Sequence, residues 1–305
     1  MSNEEDQLDE KRNRRILIGF ILAISGGSLL YRLLLHEHLG QTSAMFLGIP
    51  AVLAILLAIA PQAETVTGRI VKGLTLALLT VAPLLGEGYL CILLAAPLFY
   101  AVGIVVGLVA DWQREKRDGT LMCVAVVLFP LCLEGVVPQL TFHRTQFVEV
   151  KRIVNGSEDA ISRVLAASPD VDAPLPRLLR IGFPRPLEAH GSGLEPGATR
   201  VIHFAGAEGD PPGDLVMRVT DSRRGYVRFV TVSDRSKLTQ WLLWKSSEVR
   251  WSAVDRDHTE VTWTIEFDRQ LDPAWYFTPW ERYAVGKAAA FLIEANATPT
   301  EEAAR

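Results

Sequence analysis

From Arg15 to Gln139 the chain is Leu, Ile, Val, Ala and Phe, with only short charged or Gly/Pro-bearing breaks, and that run decides what the first half can be. A helix crossing the hydrocarbon of a bilayer needs about 20 apolar residues. By that length the run divides into about five expected spans, 16–35, 44–60, 70–86, 89–110 and 120–137. Pro61 ends the second, and Gly86-Glu87-Gly88 breaks a stretch too long for one crossing. The polar loop DWQREKRDG precedes the fifth, which Pro138 closes. Residues 1–14 read as a disordered tail, and so do residues 298–305. The basic KRNRR (11–15) ahead of the first apolar run resembles the start of a signal peptide. The run is longer than such a segment needs, and HEHLGQ follows it instead of a small-residue cleavage site, so the span is expected to be retained.

Lys and Arg near span ends set orientation. One set of faces carries Lys11, Arg12, Arg14, Arg15, Arg69, Lys72, Arg114, Lys116 and Arg117; the other carries Arg32, Arg144, Lys151 and Arg152. The asymmetry predicts a cytoplasmic N-terminus in the cell (inner) membrane. An odd number of spans then places the C-terminal domain outside the cytoplasm.

Past about residue 140 the periodicity changes. The chain is 49% hydrophobic overall, but the second half holds most of the charge. A net charge of −4, with no basic run longer than KRNRR, gives no support for a nucleic-acid partner. Cys91, Cys123 and Cys132 all lie in apolar segments, so neither a disulfide framework nor a paired-cysteine zinc site is indicated.

FVEVKRIV (147–154) reads as a strand and SEDAISRVLAA (157–167) as a helix that Ser157 can cap. A Pro-rich connection follows, Pro169 to Pro186. Short strands are expected at 199–205, 214–220, 225–232, 246–254 and 259–267. The last two alternate strictly: Val249, Trp251 and Ala253, and Val261, Trp263, Ile265 and Phe267, point one way, while Glu248, Arg250, Thr262, Thr264 and Glu266 point the other. A long helix starts near Pro273, with Trp280, Ala284, Ala288, Phe291 and Ala295 on one stripe.

This order, carried by FVEVKRIVNGSEDAISRVL, GATRVIHF, EVRWSAV, TEVTWTIEF and PAWYFTPWERYAVGKAAAFL, resembles the helix-grip fold of the START, Bet v 1 and polyketide cyclase (SRPBCC) superfamily over most of 145–297. The expected fold class is therefore an all-α multi-span membrane domain (15–139) followed by an α+β helix-grip, START-like domain. The resemblance implies a curved antiparallel sheet gripping the long helix around an apolar cavity. It also implies lipids or other hydrophobic molecules as ligands, and it brings no catalytic motif with it.

On that basis Trp251, Trp263, Ile265, Phe267, Trp280 and Phe291 are the candidate cavity wall, against the alternative that the same residues fill a core. The aromatics Tyr276, Phe277, Trp280 and Tyr283 cluster at the start of the last helix, where ordinary packing competes with a membrane-interface role. In the apolar half, His36, His38, Glu87 and Glu134 fall on one expected face as a possible polar cluster, with Cys91 and Cys132 nearby. Ionisable residues inside a span are costly and functional by default; the plainer reading is loop residues in water and a snorkelling Glu134.

No nucleophile elbow, phosphate loop or metal motif appears, so no cofactor or metal is expected and catalysis is not the favoured reading. The expectation is a multi-pass membrane protein whose START-like domain binds a hydrophobic ligand, in particular lipid, at the bilayer surface. The alternatives are a membrane-embedded enzyme or metal site built on the His/Glu face, or a ligand-free scaffold for another protein.

Overall fold

A computed structural model describes residues 16, 18–19, 49–59, 63–85, 89–116, 134–135, 139, 141–180, 183–206 and 211–298. The chain divides into two compact units, 1–130 and 131–305.

In the first unit, α1 spans Ile49–Ile59, α2 Val66–Leu85 and α3 Tyr89–Lys116. The expected spans 16–35 and 120–137 lie almost wholly outside the described residues. Among the described residues one helical stretch, Ile92–Trp112, is long and apolar enough to cross a membrane, so the five-span reading is not carried by the structure. α2 opens with Arg69 and Lys72 in its first two turns, and the residues flanking α1 lie outside the described ones.

The α2–α3 pairing is specific. Gly103 and Gly107 lie one turn apart on α3. A Cβ at Gly103 would come within 3.3 Å of Ile70, and one at Gly107 within 2.6 Å of the Thr67 Cα. This is the close backbone approach that small residues at four-residue spacing allow. Near the far end of α3, Asp111 accepts hydrogen bonds from the Val66 and Thr67 N–H groups at 2.7 and 3.0 Å and from the Thr67 hydroxyl at 2.6 Å. It therefore caps α2 from a different helix, supplying a carboxylate where the helix leaves unpaired N–H groups.

The second unit opens with β1 (Thr145–Asn155) and α4 (Glu158–Ala166), which Ser157 caps by accepting from the Ala160 N–H. A 3-10 turn at Arg177–Arg180 follows in the Pro-rich connection. Then come β2 (Pro186–His190), β3 (Thr199–Phe204), β4 (Gly213–Arg223), β5 (Tyr226–Asp234), β6 (Leu242–Ala253), β7 (His258–Arg269) and the long α5 (Ala274–Asn296). All seven strands form one antiparallel sheet in the order β1-β7-β6-β5-β4-β3-β2. Register shifts between Val216 and Met217, Val219 and Asp221, and Trp244 and Ser246 insert extra residues that bend the strands. The sheet curls, and α5 packs against β1 and β7. This is the helix-grip architecture.

The alternation read in β6 and β7 governs their burial. Val249, Val261, Ile265 and Phe267 are completely buried, and Trp251 and Trp263 nearly so. Ala253 is exposed, because it ends β6 at the hairpin. On α5 the expected stripe holds at Ala284 and Phe291, which are buried, and fails at Trp280, which is 46% exposed; Phe277, Glu281, Val285, Ala289, Ile293 and Asn296 complete the inward face.

One buried guanidinium joins the two ends of this unit. Arg269, the last residue of β7, is fully buried. Its Nε donates to the His143 carbonyl at 3.3 Å, Nη1 to the Leu271 carbonyl at 3.0 Å and to Asp272, and Nη2 to the Phe142 carbonyl at 2.9 Å and to Glu134 Oε1 at 3.2 Å. Glu134 Oε1 also accepts from the Ala274 N–H at 3.0 Å, at the first residue of α5. Glu134 thus belongs to this unit, in a turn, paired and buried; the reading that places it in a membrane span is corrected by the ion pair. Arg269→Ala is expected to destabilise the unit by about 3–5 kcal/mol, since it strands a buried carboxylate. Glu134→Gln, which keeps the shape, is expected to cost less. Thermal unfolding followed by tryptophan fluorescence checks this, and a midpoint for Arg269→Ala within about two degrees of wild type would contradict it.

Candidate functional site: an apolar cavity under the long helix

The curl of the sheet leaves a cavity of about 170 Å³ between strands β3–β7, α4, the Pro-rich connection and α5. Its wall is almost entirely carbon: Leu165 from α4, Phe183 from the connection, Phe204 from β3, Phe229 from β5, Trp244 from β6 and Phe291 from α5 illustrate how every surrounding element contributes. The bulge at Trp244/Ser246 matters here, because it turns Trp244 toward the space while Ser247 stays on the wall.

Of the six residues expected to line the cavity, Trp263 and Phe291 do so. Trp251, Ile265 and Phe267 are buried in the continuous core of the unit and lie outside the lining. Trp280 faces outward. With Trp275 and Tyr283 it forms an exposed aromatic group at the start of α5, whereas Phe277 is buried. The space is formed more by β3–β5 and the Pro-rich connection than by β6 and β7. The sequence signal for that was weak, since β3 is short and the alternation of β4 and β5 is broken by bulges.

The wall carries few polar groups, and most are satisfied. The Asn296 side chain accepts from the Asp170 N–H at 2.6 Å and donates to the Asp170 carbonyl at 3.4 Å. Ser247 Oγ accepts from the Trp244 indole at 3.1 Å. Two donors remain unpartnered among the described residues: the Trp263 indole Nε1 and the Arg200 Nε. Arg200 is 7% exposed and stacks over the Phe229 ring at 5.2 Å. Its terminal nitrogens donate to the carbonyls of Ala167 at 2.6 Å, Leu165 at 2.5 Å and Gly193 at 3.2 Å, closing the C-terminal end of α4. Burial lowers its pKa to about 10, so it stays charged at neutral pH.

Chemistry of other kinds finds little support in this unit. His203 Nδ1 lies 2.6 Å from Asp214 Oδ1, but the pair is half-exposed on β3–β4 and neither residue lines the cavity. Among the described residues no group of three or more His, Cys, Asp and Glu side chains could hold a metal ion. His36, His38 and Glu87 of the expected polar cluster lie outside the described residues. Glu134, its fourth member, is committed to Arg269 and the start of α5.

No family profile matches the chain, and no curated protein does. Solved structures do match its C-terminal half. A START superfamily protein from Mycobacterium smegmatis is 13% identical, covering 49% of this chain and 92% of its own, with a TM-score of 0.35. A ginseng major latex-like protein from Panax ginseng is 12% identical over 50% of this chain and 98% of its own, with a TM-score of 0.31. Norcoclaurine synthase from Thalictrum flavum, in complex with dopamine and hydroxybenzaldehyde, is 17% identical over 49% of this chain and 87% of its own, with a TM-score of 0.30. The strand order and the gripped helix define this half as a START/Bet v 1-like fold.

Glu281, on the inward face of α5, sets the pH response. Its Oε1 accepts from the Leu271 N–H at 3.3 Å, and its Oε2 has no partner. Burial pushes its pKa up to about 7, against the opposing pull of that hydrogen bond and of nearby Arg269. The folded protein therefore holds this proton more tightly than the unfolded chain. Its contribution is fully present below the unfolded value of 4.5 and is lost as pH rises through about 7. Glu281→Gln is expected to raise the thermal midpoint at pH 8 relative to wild type and to flatten the fall between about pH 4.5 and 7. Midpoints at pH 5 and pH 8 check it, and an unchanged slope would contradict it.

Proposed function

We propose that this chain is a multi-pass membrane protein whose helix-grip unit binds a hydrophobic small molecule, drawn from the lipid of the bilayer that holds its N-terminal half. The observation that carries the binding reading is the cavity. It has a nearly all-carbon wall and a few polar groups fixed within it, the composition of a ligand site and not of a solvent channel. Size narrows the ligand. About 170 Å³ is close to the roughly 150 Å³ engineered cavity that stays dry and binds benzene. A ring or one short chain fits; an intact two-chain lipid would enter by only part of one chain.

Support for the membrane reading comes from what the first unit leaves uncovered. Ile92–Trp112 is apolar and hardly buried. Leu93, Phe99, Val105 and Leu108 of α3 are 47–58% exposed, and Val52 and Leu56 of α1 are 56% and 59% exposed. Apolar surface on this scale is unusual on a soluble monomer and natural against lipid. The excess of Lys and Arg on one set of span ends supports a cytoplasmic N-terminus and an extracytoplasmic helix-grip unit in the cell membrane.

Two measurements test the proposal. Ala288 lines the cavity from α5, so Ala288→Trp should fill it. Binding of fluorobenzene to the full chain, followed by fluorine NMR, is expected in wild type and lost in the variant. The overpacking itself is expected to cost about 1–3 kcal/mol. Equal binding by the two proteins would remove the cavity as the site. Reporter fusions after residue 140 and at the C-terminus are expected to signal an extracytoplasmic location, and a cytoplasmic signal would overturn the orientation.

A further inference from the structure

The helix-grip unit keeps its Trp and Tyr side chains covered, with one local exception. Trp241, Trp251, Trp263 and Tyr226 are buried, and Trp244 lines the cavity. Trp275, Trp280 and Tyr283 are each about half exposed, and all three fall in the first three turns of α5. Phe142, whose carbonyl is held by Arg269 beside Glu134, is more exposed still. Packing does not require these side chains. The inward side of this part of α5 is Phe277, Glu281, Ala284 and Val285, and the exposed aromatics lie on the other side. The charged residues among them are Arg282 and Lys287, both exposed and both basic. Lys287 Nζ lies over the Tyr283 ring at 5.2 Å, and Glu281, the one acidic residue of the helix before Glu294, is buried.

The chain that leads to this face indicates what covers it. From Thr120 to Leu133 there is no charged residue. The next residue, Glu134, is fixed to the start of α5, where its Oε1 accepts from the Ala274 N–H at 3.0 Å. The end of the apolar run is therefore one peptide bond from a residue bonded to the first residue of the helix, and Trp275 comes next. Trp and Tyr carry an apolar body and a polar tip, and Arg and Lys carry a charge on an apolar stem. These are the side chains that settle between hydrocarbon and water at a bilayer surface.

We propose that this face of α5 lies in the headgroup region of the bilayer, with Phe142, Trp275, Trp280 and Tyr283 entering the interface and Arg282 and Lys287 meeting anionic headgroups. This rests on the N-terminal half being held in a membrane. The buried Arg269–Glu134 pair fixes the end of the apolar run and the aromatic face at one point of the unit, so both meet the same surface. Anionic lipid attracts exposed Lys and Arg, and salt screens that attraction. The contact keeps the helix-grip unit at the surface that supplies its hydrophobic ligand.

The test uses the full chain labelled with 5-fluorotryptophan, in nanodiscs of phosphatidylcholine and phosphatidylglycerol, read by fluorine NMR. Trp275→Phe and Trp280→Phe assign the two resonances. Trp112→Phe and Trp263→Phe assign two internal controls, one at the end of the apolar stretch of α3 and one buried in the helix-grip unit. Lipid carrying a nitroxide at the top of its acyl chain is expected to broaden Trp275 and Trp280 about threefold or more beyond Trp263. A soluble gadolinium chelate is expected to broaden them less than the lipid probe does. Arg282→Glu combined with Lys287→Glu is expected to cut the lipid broadening at Trp280 by about half while Trp112 keeps its own. An unshifted Trp263 resonance shows that the variant is folded. Broadening of Trp275 and Trp280 by the chelate and not by the lipid, with Trp112 reached by the lipid probe, would overturn the inference and leave the face in water. Protection from both probes would overturn it as well, by showing the face covered by a second copy or another protein. Full lipid broadening in the folded double variant would strike anionic headgroups from it. A lipid probe that reaches neither these residues nor Trp112 would instead remove the membrane reading on which the inference stands.

Discussion

The second unit is tied together at one buried point, the Arg269 guanidinium. Five of its hydrogen bonds reach residues 134, 142 and 143 on one side and 271 and 272 on the other. The chain entering β1 and the chain entering α5 are therefore held in register with the end of β7. Glu134 completes the arrangement by accepting the Ala274 N–H, because Pro273 at the cap position offers no side-chain acceptor of its own. Asp272 is held in turn by Arg144 at 3.0 Å, and it lies so close to Gly135 that a side chain there would collide with it. Gly135 has φ +81°, a conformation that glycine adopts without penalty. Burying these charges is expensive, and the arrangement stands only because each is paired. It fixes where α5 starts, and so the line along which the sheet grips it.

With the helix placed, the cavity follows from a mismatch of curvature. Bulges in β4, β5 and β6 bend the middle of the sheet away from a straight helix, while β1 and β7 stay regular and pack against it. Trp251, Ile265 and Phe267 fill core, and the cavity wall is drawn mainly from β3–β5, with Trp244 and Trp263 from β6 and β7. A wall so poor in polar atoms offers water few partners.

The legible parts of the sequence were those governed by local rules. The alternation in 246–254 and 259–267, the Ser157 cap and the position of the last helix each depend on neighbours a few residues apart. What failed to read through depends on distant partners. Glu134 sits at the end of an apolar run, where a lone carboxylate resembles a membrane residue; its partner is 135 positions later, and no periodicity announces it. On α5 the expected stripe failed at Trp280 for the same reason: Trp280 is the more hydrophobic choice, but Glu281 is the residue turned inward, where it accepts from the Leu271 N–H. Arg200 lies within a short strand, and nothing local marks it as the residue on which the C-terminus of α4 ends.

In the first unit, by contrast, a local signal existed. Gly103 and Gly107 occur at the spacing that lets two helices touch backbone to backbone, within a stretch where overall hydropathy dominated the reading. Close packing and internal polar bonds hold α2 and α3 together, the terms a helix pair relies on where hydrophobic burial contributes little. Both are present. Gly107 admits the Thr67 backbone and Gly103 the Ile70 and Leu74 side chains, the Thr75 and Tyr100 hydroxyls meet at 2.8 Å, and Asp111 caps the partner helix. A soluble helix pair would instead bury its large side chains between the helices and turn charge outward. Here the seam combines Gly103 and Gly107 with Ile70, Leu74 and polar groups, while Leu93, Phe99, Val105 and Leu108 of α3 face out.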